Sequence, residues 1–113
     1  MTTDNKSNNI KLELLNSPSI NTVLGLKYFN NNSTLYIKIL NRFVERNDTL
    51  DLNNLDSDEL SSTLHTLKGL ASTLGMLSLT SIIKDIENKS DKILINDFTQ
   101  ELRDIINNIK NII

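Results

Sequence analysis

Apolar residues recur every three or four positions along almost the whole 113-residue chain, and nowhere do they alternate long enough to make a strand. Tyr36, Ile39, Leu40 and Phe43 keep that spacing. So do Leu60, Leu64, Leu67, Ala71 and Leu74, then Leu79, Ile82, Ile83 and Ile86, and finally Phe98, Leu102, Ile105, Ile106, Ile109 and Ile113. Each series draws a stripe down one side of a helix, and a stripe must be buried against another element. The run Ile93-Leu94-Ile95 is too short to found a sheet. The polar connections between stripes are short, and short connections join antiparallel neighbours. The expected fold is therefore all-α: an antiparallel up-down-up-down four-helix bundle with a short additional helix at the N-terminus.

Local signals set the expected boundaries. Residues 1–18 are rich in Asn, Ser, Thr and Lys and read as a flexible tail or linker, its end lying on the bundle through Ile10, Leu12, Leu14 and Leu15; residues 19–113 form the domain. Ser17-Pro18-Ser19 reads as a turn, because proline fixes its own φ and disfavours α geometry in the residue before it. Ile20 to Phe29 is the short extra helix, broken at Asn30-Asn31-Asn32-Ser33. Ser33 is the expected N-cap of a helix reaching about Arg46. Asp56 or Ser57 caps the central helix, with Asp58 and Glu59 in its first turn and Gly75 near its far end. Leu77 to Asn88 makes the next helix, Lys89-Ser90-Asp91 a turn, and the last helix runs from about Asn96.

Asparagine recurs inside these helices at Asn41, Asn107, Asn108 and Asn111, and it is a mediocre helix former. Burial must hold the fold, at about 25 cal/mol per Å² of apolar surface removed from water. Three phenylalanines and two tyrosines leave an aliphatic core, without a platform for a flat cofactor or stacked bases. The formal net charge of −2 comes without a basic run, which argues against nucleic acid as a partner. With no cysteine there are no disulfides, thiolate ligands or thiol nucleophiles. No basic-then-apolar leader and no apolar run near 18 residues is found in the chain, so the expectation is a cytoplasmic protein without direct membrane contact.

The only histidine, His65, lies in Leu-His-Thr-Leu-Lys-Gly-Leu-Ala-Ser-Thr-Leu-Gly, residues 64–75. At about 100° per residue, His65, Lys68, Gly69, Ser72 and Met76 gather opposite the leucine stripe, so the imidazole is expected to face solvent. One histidine cannot build a zinc or iron site. There is no phosphate-cradling glycine loop, and Ser-His-Asp catalysis lacks a nucleophile-elbow signature. Gly69 stands out because a glycine inside a helix costs roughly 0.5–1 kcal/mol relative to alanine. Such a residue calls for close packing or an approaching partner. Gly75 suits a structural role, as a helix end or a close helix crossing.

His65-Thr66-Leu67-Lys68-Gly69, followed by Ala71 and by Leu74-Gly75, resembles the motif of histidine-containing phosphotransfer (HPt) domains of multistep phosphorelays, similar to the C-terminal module of hybrid sensor kinases. The resemblance extends upstream over residues 35–43 and downstream over residues 79–87. It implies a phosphorelay intermediate in which His65 accepts a phosphoryl group from a receiver-domain aspartyl phosphate and passes it to another receiver aspartate. Lys68 would assist electrostatically, and Gly69, Ser72 and Met76 would form the receiver docking face, although the spacing also lets Met76 turn inward. The implied partners are response-regulator receivers and a hybrid sensor histidine kinase. Magnesium would sit on the receiver, with no cofactor on this chain and no ATP-dependent kinase activity of its own. The other reading is a helical interaction module that docks a receiver or kinase without carrying phosphate.

Overall fold

The computed structural model describes residues 2–89 and 91–113, with side chains from Lys6 onward. Among these residues all regular structure is helical: α1 (Thr2–Leu15), α2 (Thr22–Tyr28), α3 (Ser33–Asn47), a 3₁₀ turn (Leu52–Asn54), α4 (Ser57–Thr73), α5 (Leu77–Asn88) and α6 (Lys92–Ile112). Helix α4 packs on α5 and α5 on α6, while α6 also meets α3 and α1, and α2 touches α1, α3 and α4. The molecule measures 47 × 24 × 21 Å, and no described helix is long and apolar enough to cross a membrane.

The stripes form one continuous core. Tyr36, Leu40, Phe43, Leu64, Leu67, Ala71, Leu74, Leu79, Ile83, Ile86, Phe98, Leu102, Ile105, Ile106 and Ile109 are all buried, whereas Asn41, Asn107, Asn108 and Asn111 are exposed. The asparagines thus cost helix propensity without costing burial. Leu52 of the 3₁₀ turn is buried as well, tacking the connection between α3 and α4 onto the bundle.

Four boundaries differ from expectation, the mildest being α2, which runs over Thr22–Tyr28 rather than Ile20 to Phe29 because Asn21 caps it by accepting the Leu24 amide at 3.0 Å. Thr2–Leu15 is a helix rather than a flexible tail. Leu12 and Leu15, three residues apart, sink into the core, the Thr22 hydroxyl donates to the Leu12 carbonyl at 3.1 Å, and the Thr22 amide donates to Asn16 Oδ1 at 3.0 Å. Asn32, not Ser33, caps α3, accepting the Leu35 amide on its side chain at 3.1 Å while Ser33 is buried in the first turn. Helix α6 begins at Lys92 instead of near Asn96, because Asp91 caps it through a 2.7 Å bond from the Ile93 amide. The expected turn at Lys89-Ser90-Asp91 includes Ser90, which lies outside the described residues, as does Met1. The start of α4 follows expectation: Asp56 accepts the Glu59 amide at 2.8 Å, and Glu59 reaches back to the Asp56 amide at 3.1 Å, a closed capping box.

Gly75 ends α4 with φ of +83°. Its amide donates to the Ser72 carbonyl at 3.2 Å and the Met76 amide to the Ala71 carbonyl at 2.9 Å, the two bonds of a Schellman motif. The residue after the left-handed position in such a motif supplies an apolar contact to the helix it terminates. Met76 therefore turns inward and is fully buried, which corrects its expected place on an exposed docking face. The Gly75 carbonyl accepts the Asn21 amide at 2.8 Å, and a Cβ at Gly75 would run into the Asn21 carbonyl oxygen. Gly75→Ala should lower unfolding stability by about 2 kcal/mol or more, combining left-handed strain with that clash. Urea titration followed by circular dichroism measures it, and a loss under 0.5 kcal/mol would contradict this account.

Candidate functional site

Helix α4 holds its outer face steady from three directions. The capping box fixes its start, the Schellman turn fixes its end, and Leu64, Leu67 and Ala71 anchor its middle in the core. His65 lies at the centre of that span with its side chain exposed. Among the described residues no side-chain hydrogen bond engages the imidazole, and the residue is open to solvent. Ser61, His65, Lys68 and Ser72 occupy one strip of the helix at i, i+4, i+7 and i+11 spacing, and Ser72 is half-buried at its end.

Lys68 departs from the simple picture of a solvated side chain beside the histidine. Its Nζ donates to Glu87 Oε1 on α5 at 2.6 Å, and the two side chains retain 29% and 26% of their exposure. The ammonium is thus drawn toward the α4–α5 edge. Glu87 was not foreseeable from the sequence: it stands nineteen residues from Lys68, and only the packing of α5 on α4 brings them together. Its one local sign is its place next to Ile86, whose burial turns that part of α5 toward α4.

Gly69 is exposed, and a Cβ built on it meets nothing within 4 Å. Close packing therefore does not explain a glycine here. Its carbonyl accepts the Thr73 hydroxyl at 2.9 Å. On the side of α4 facing α3 an open groove is lined by Arg46, Thr63, Thr66, Leu67 and Leu70, and it continues past Arg42. Of the expected site residues, the phospho-acceptor His65, its assistant Lys68 and the docking residues Gly69 and Ser72 share the outer side of α4, the docking residue Met76 belongs to the core, and Gly75 stands at the helix end.

The family model described as Hpt domain matches residues 35–112, more than half of the chain and all of α4, α5 and α6. No curated protein and no solved structure matches.

Because the Gly69 site is open and helical, Gly69→Ala should stabilise the isolated domain by about 0.5–1 kcal/mol, whereas Lys68→Ala should stay within about 1 kcal/mol of the wild type as expected for a partly exposed ion pair. Thermal melting of both variants checks this. A destabilising Gly69→Ala would reveal a packing role that the open site does not account for.

Proposed function

The chain belongs to the Hpt domain family, and from that premise we propose that His65 is the residue on which a phosphoryl group rides between two receiver domains. One observation carries the reading: the family match spans the only histidine of the chain, and that histidine stands exposed at the middle of a helix fixed at both ends. We also read α3, α4, α5 and α6 as the antiparallel up-down-up-down bundle, with α1 and α2 as N-terminal additions. The three-residue link from Thr73 to Leu77 supports this. The reading carries with it a cytoplasmic location and a hybrid sensor kinase upstream.

In the proposed step the Nε2 lone pair of neutral His65 attacks the phosphorus of a receiver aspartyl phosphate. An N–P bond forms as the P–O bond to the aspartate breaks, and the aspartate leaves as a carboxylate. The ring keeps its proton on Nδ1 and is cationic until that proton passes to water; the reverse sequence hands the phosphoryl group to the second receiver. No base is needed on this chain. Catalysis is positioning plus stabilisation of charge on the phosphoryl oxygens, with Lys68 supplying positive charge and magnesium coming with the receiver. A nucleophile presented on a convex helix suits a reaction whose other half arrives as a folded domain.

Incubation with a receiver domain carrying radiolabelled aspartyl phosphate should label the wild type with an acid-labile, alkali-stable phosphate. His65→Gln should keep its helical circular dichroism and take no label. Label persisting in that variant would overturn the assignment, and an unlabelled wild type that still binds the receiver would mark a docking module that carries no phosphate. Gly69 tests the approach of the partner to the helix backbone. Transfer should fall progressively from Gly69 to Gly69→Ala to Gly69→Leu, the last by about tenfold or more, as expected where a small misplacement costs alignment. Equal transfer rates across the series would mean that the receiver docks elsewhere.

A further inference from the structure

We propose that Glu87 is a positioning residue for this site: by pairing with Lys68 it holds the ammonium at the α4–α5 edge and limits how tightly a phosphoryl group is retained on His65. The inference rests on the phosphotransfer reading above and concerns the regulation of the same site.

The Lys68–Glu87 pair is short at 2.6 Å, and both side chains are about three-quarters shielded from water. Such a pair interacts more strongly than one in bulk solvent, and salt screens it less. It stands beside His65. Lys68 follows the histidine by one turn, and Glu87 lines the cleft between α4 and α5 together with Ser61, one turn before the histidine. A phosphoryl group on Nε2 brings close to two negative charges to this strip. The ammonium has three N–H donors, one of them committed to Glu87, so it can turn toward phosphoryl oxygens only in competition with the carboxylate. Glu87 acts in the same direction twice, by neutralising Lys68 and by adding a negative charge of its own. It exchanges no proton and forms no bond to phosphorus, so the step keeps the balance written above. A carrier that must give its group up is served by such a moderated hold, because a clamp that binds the phosphoryl group equally in every state slows its release.

The test uses the whole chain and the receiver of the labelling experiment, at 0.15 M salt. Glu87→Gln keeps the side-chain shape and removes the charge. It should shift the equilibrium between receiver phosphate and His65 phosphate toward His65 by about two- to fivefold, the range open to a partly shielded ion pair. Glu87→Asp should fall nearer the wild type, and the melting midpoints should not follow the order of the shifts. In a Lys68→Ala background the Glu87→Gln shift should drop to less than half. An unchanged equilibrium in Glu87→Gln overturns the proposal, and so does a shift of full size without Lys68, which would mean that Glu87 acts by its own field alone. The ¹⁵N signal of the Lys68 ammonium provides a readout independent of the receiver, with His65 loaded chemically by the small donor phosphoramidate. It should move on loading in the wild type, and Glu87→Gln should already displace it in the unloaded protein. A Lys68 signal indifferent to Glu87→Gln overturns the pairing, whereas a wild type that phosphoramidate labels but the receiver does not overturns the relay reading instead.

Discussion

The left-handed turn at Gly75 is the constraint on which the rest of the arrangement hangs. Within five residues the chain must stop α4, satisfy its last carbonyls and start α5 close beside it, and the Schellman pair of hydrogen bonds does all of this at the cost of one residue at positive φ. The same corner receives α2 and α3. The Asn21 amide bonds the Gly75 carbonyl, and the Tyr36 hydroxyl donates to the Leu74 carbonyl at 2.6 Å, so α4 leaves few orphan acceptors at its end. Burial pushes the Tyr36 phenol well above its usual range, which keeps it a donor at any physiological pH. Gly25 completes the corner, since a Cβ there would lie 2.5 Å from the Tyr36 oxygen and 2.7 Å from the Leu74 carbonyl oxygen. Two glycines and a tyrosine thereby fix the axis of the helix that carries His65.

Against that corner the aliphatic core does the unspecific part of the stabilisation. Buried leucine and isoleucine fill it from five helices, with Ile20 and Leu52 added from the connections, and most helical residues outside it are poor or average helix formers. Such helices are stable only while docked. The outer strip of α4 contributes little to stability beside the core, its one cross-helix ion pair among the described residues being Lys68–Glu87. His65, Lys68 and Gly69 are therefore free to be chosen by chemistry, and a glycine in the third of those positions is tolerable because α4 is held from beneath and from both ends.

Legibility of the sequence followed how local each cause was. The stripes of α3, α4, α5 and α6 were readable because burial and helical period coincide there, and the cap at Asp56 because its partner Glu59 is three residues away. Helix α1 was obscured by composition: of its apolar residues only Leu12 and Leu15 are buried, while Ile10 and Leu14 stay exposed at 51% and 68%, so the sequence shows no clean stripe. The early start of α6 turned on a single aspartate. Met76 does not share the α4 wheel, because the chain has already reversed its direction at Gly75. Glu87 is hidden for the opposite reason, since the apolar Ile86 beside it orients α5 but does not name a partner nineteen residues back along the chain.

These causes bear unequally on the proposed chemistry. The position of His65 depends on short-range signals, namely its place opposite the leucine stripe and the caps on its helix. The electrostatics around it depend on a tertiary contact, the Lys68–Glu87 pair across α4 and α5. A motif can therefore identify where a phosphoryl group would sit while saying little about how strongly it would be held, because the motif's own lysine is shared with a carboxylate that the motif does not contain. Two chains with the same His-x-x-Lys-Gly and different residues at the α5 position would present the same nucleophile in different fields, and retention of the phosphoryl group would vary with the second helix rather than the first.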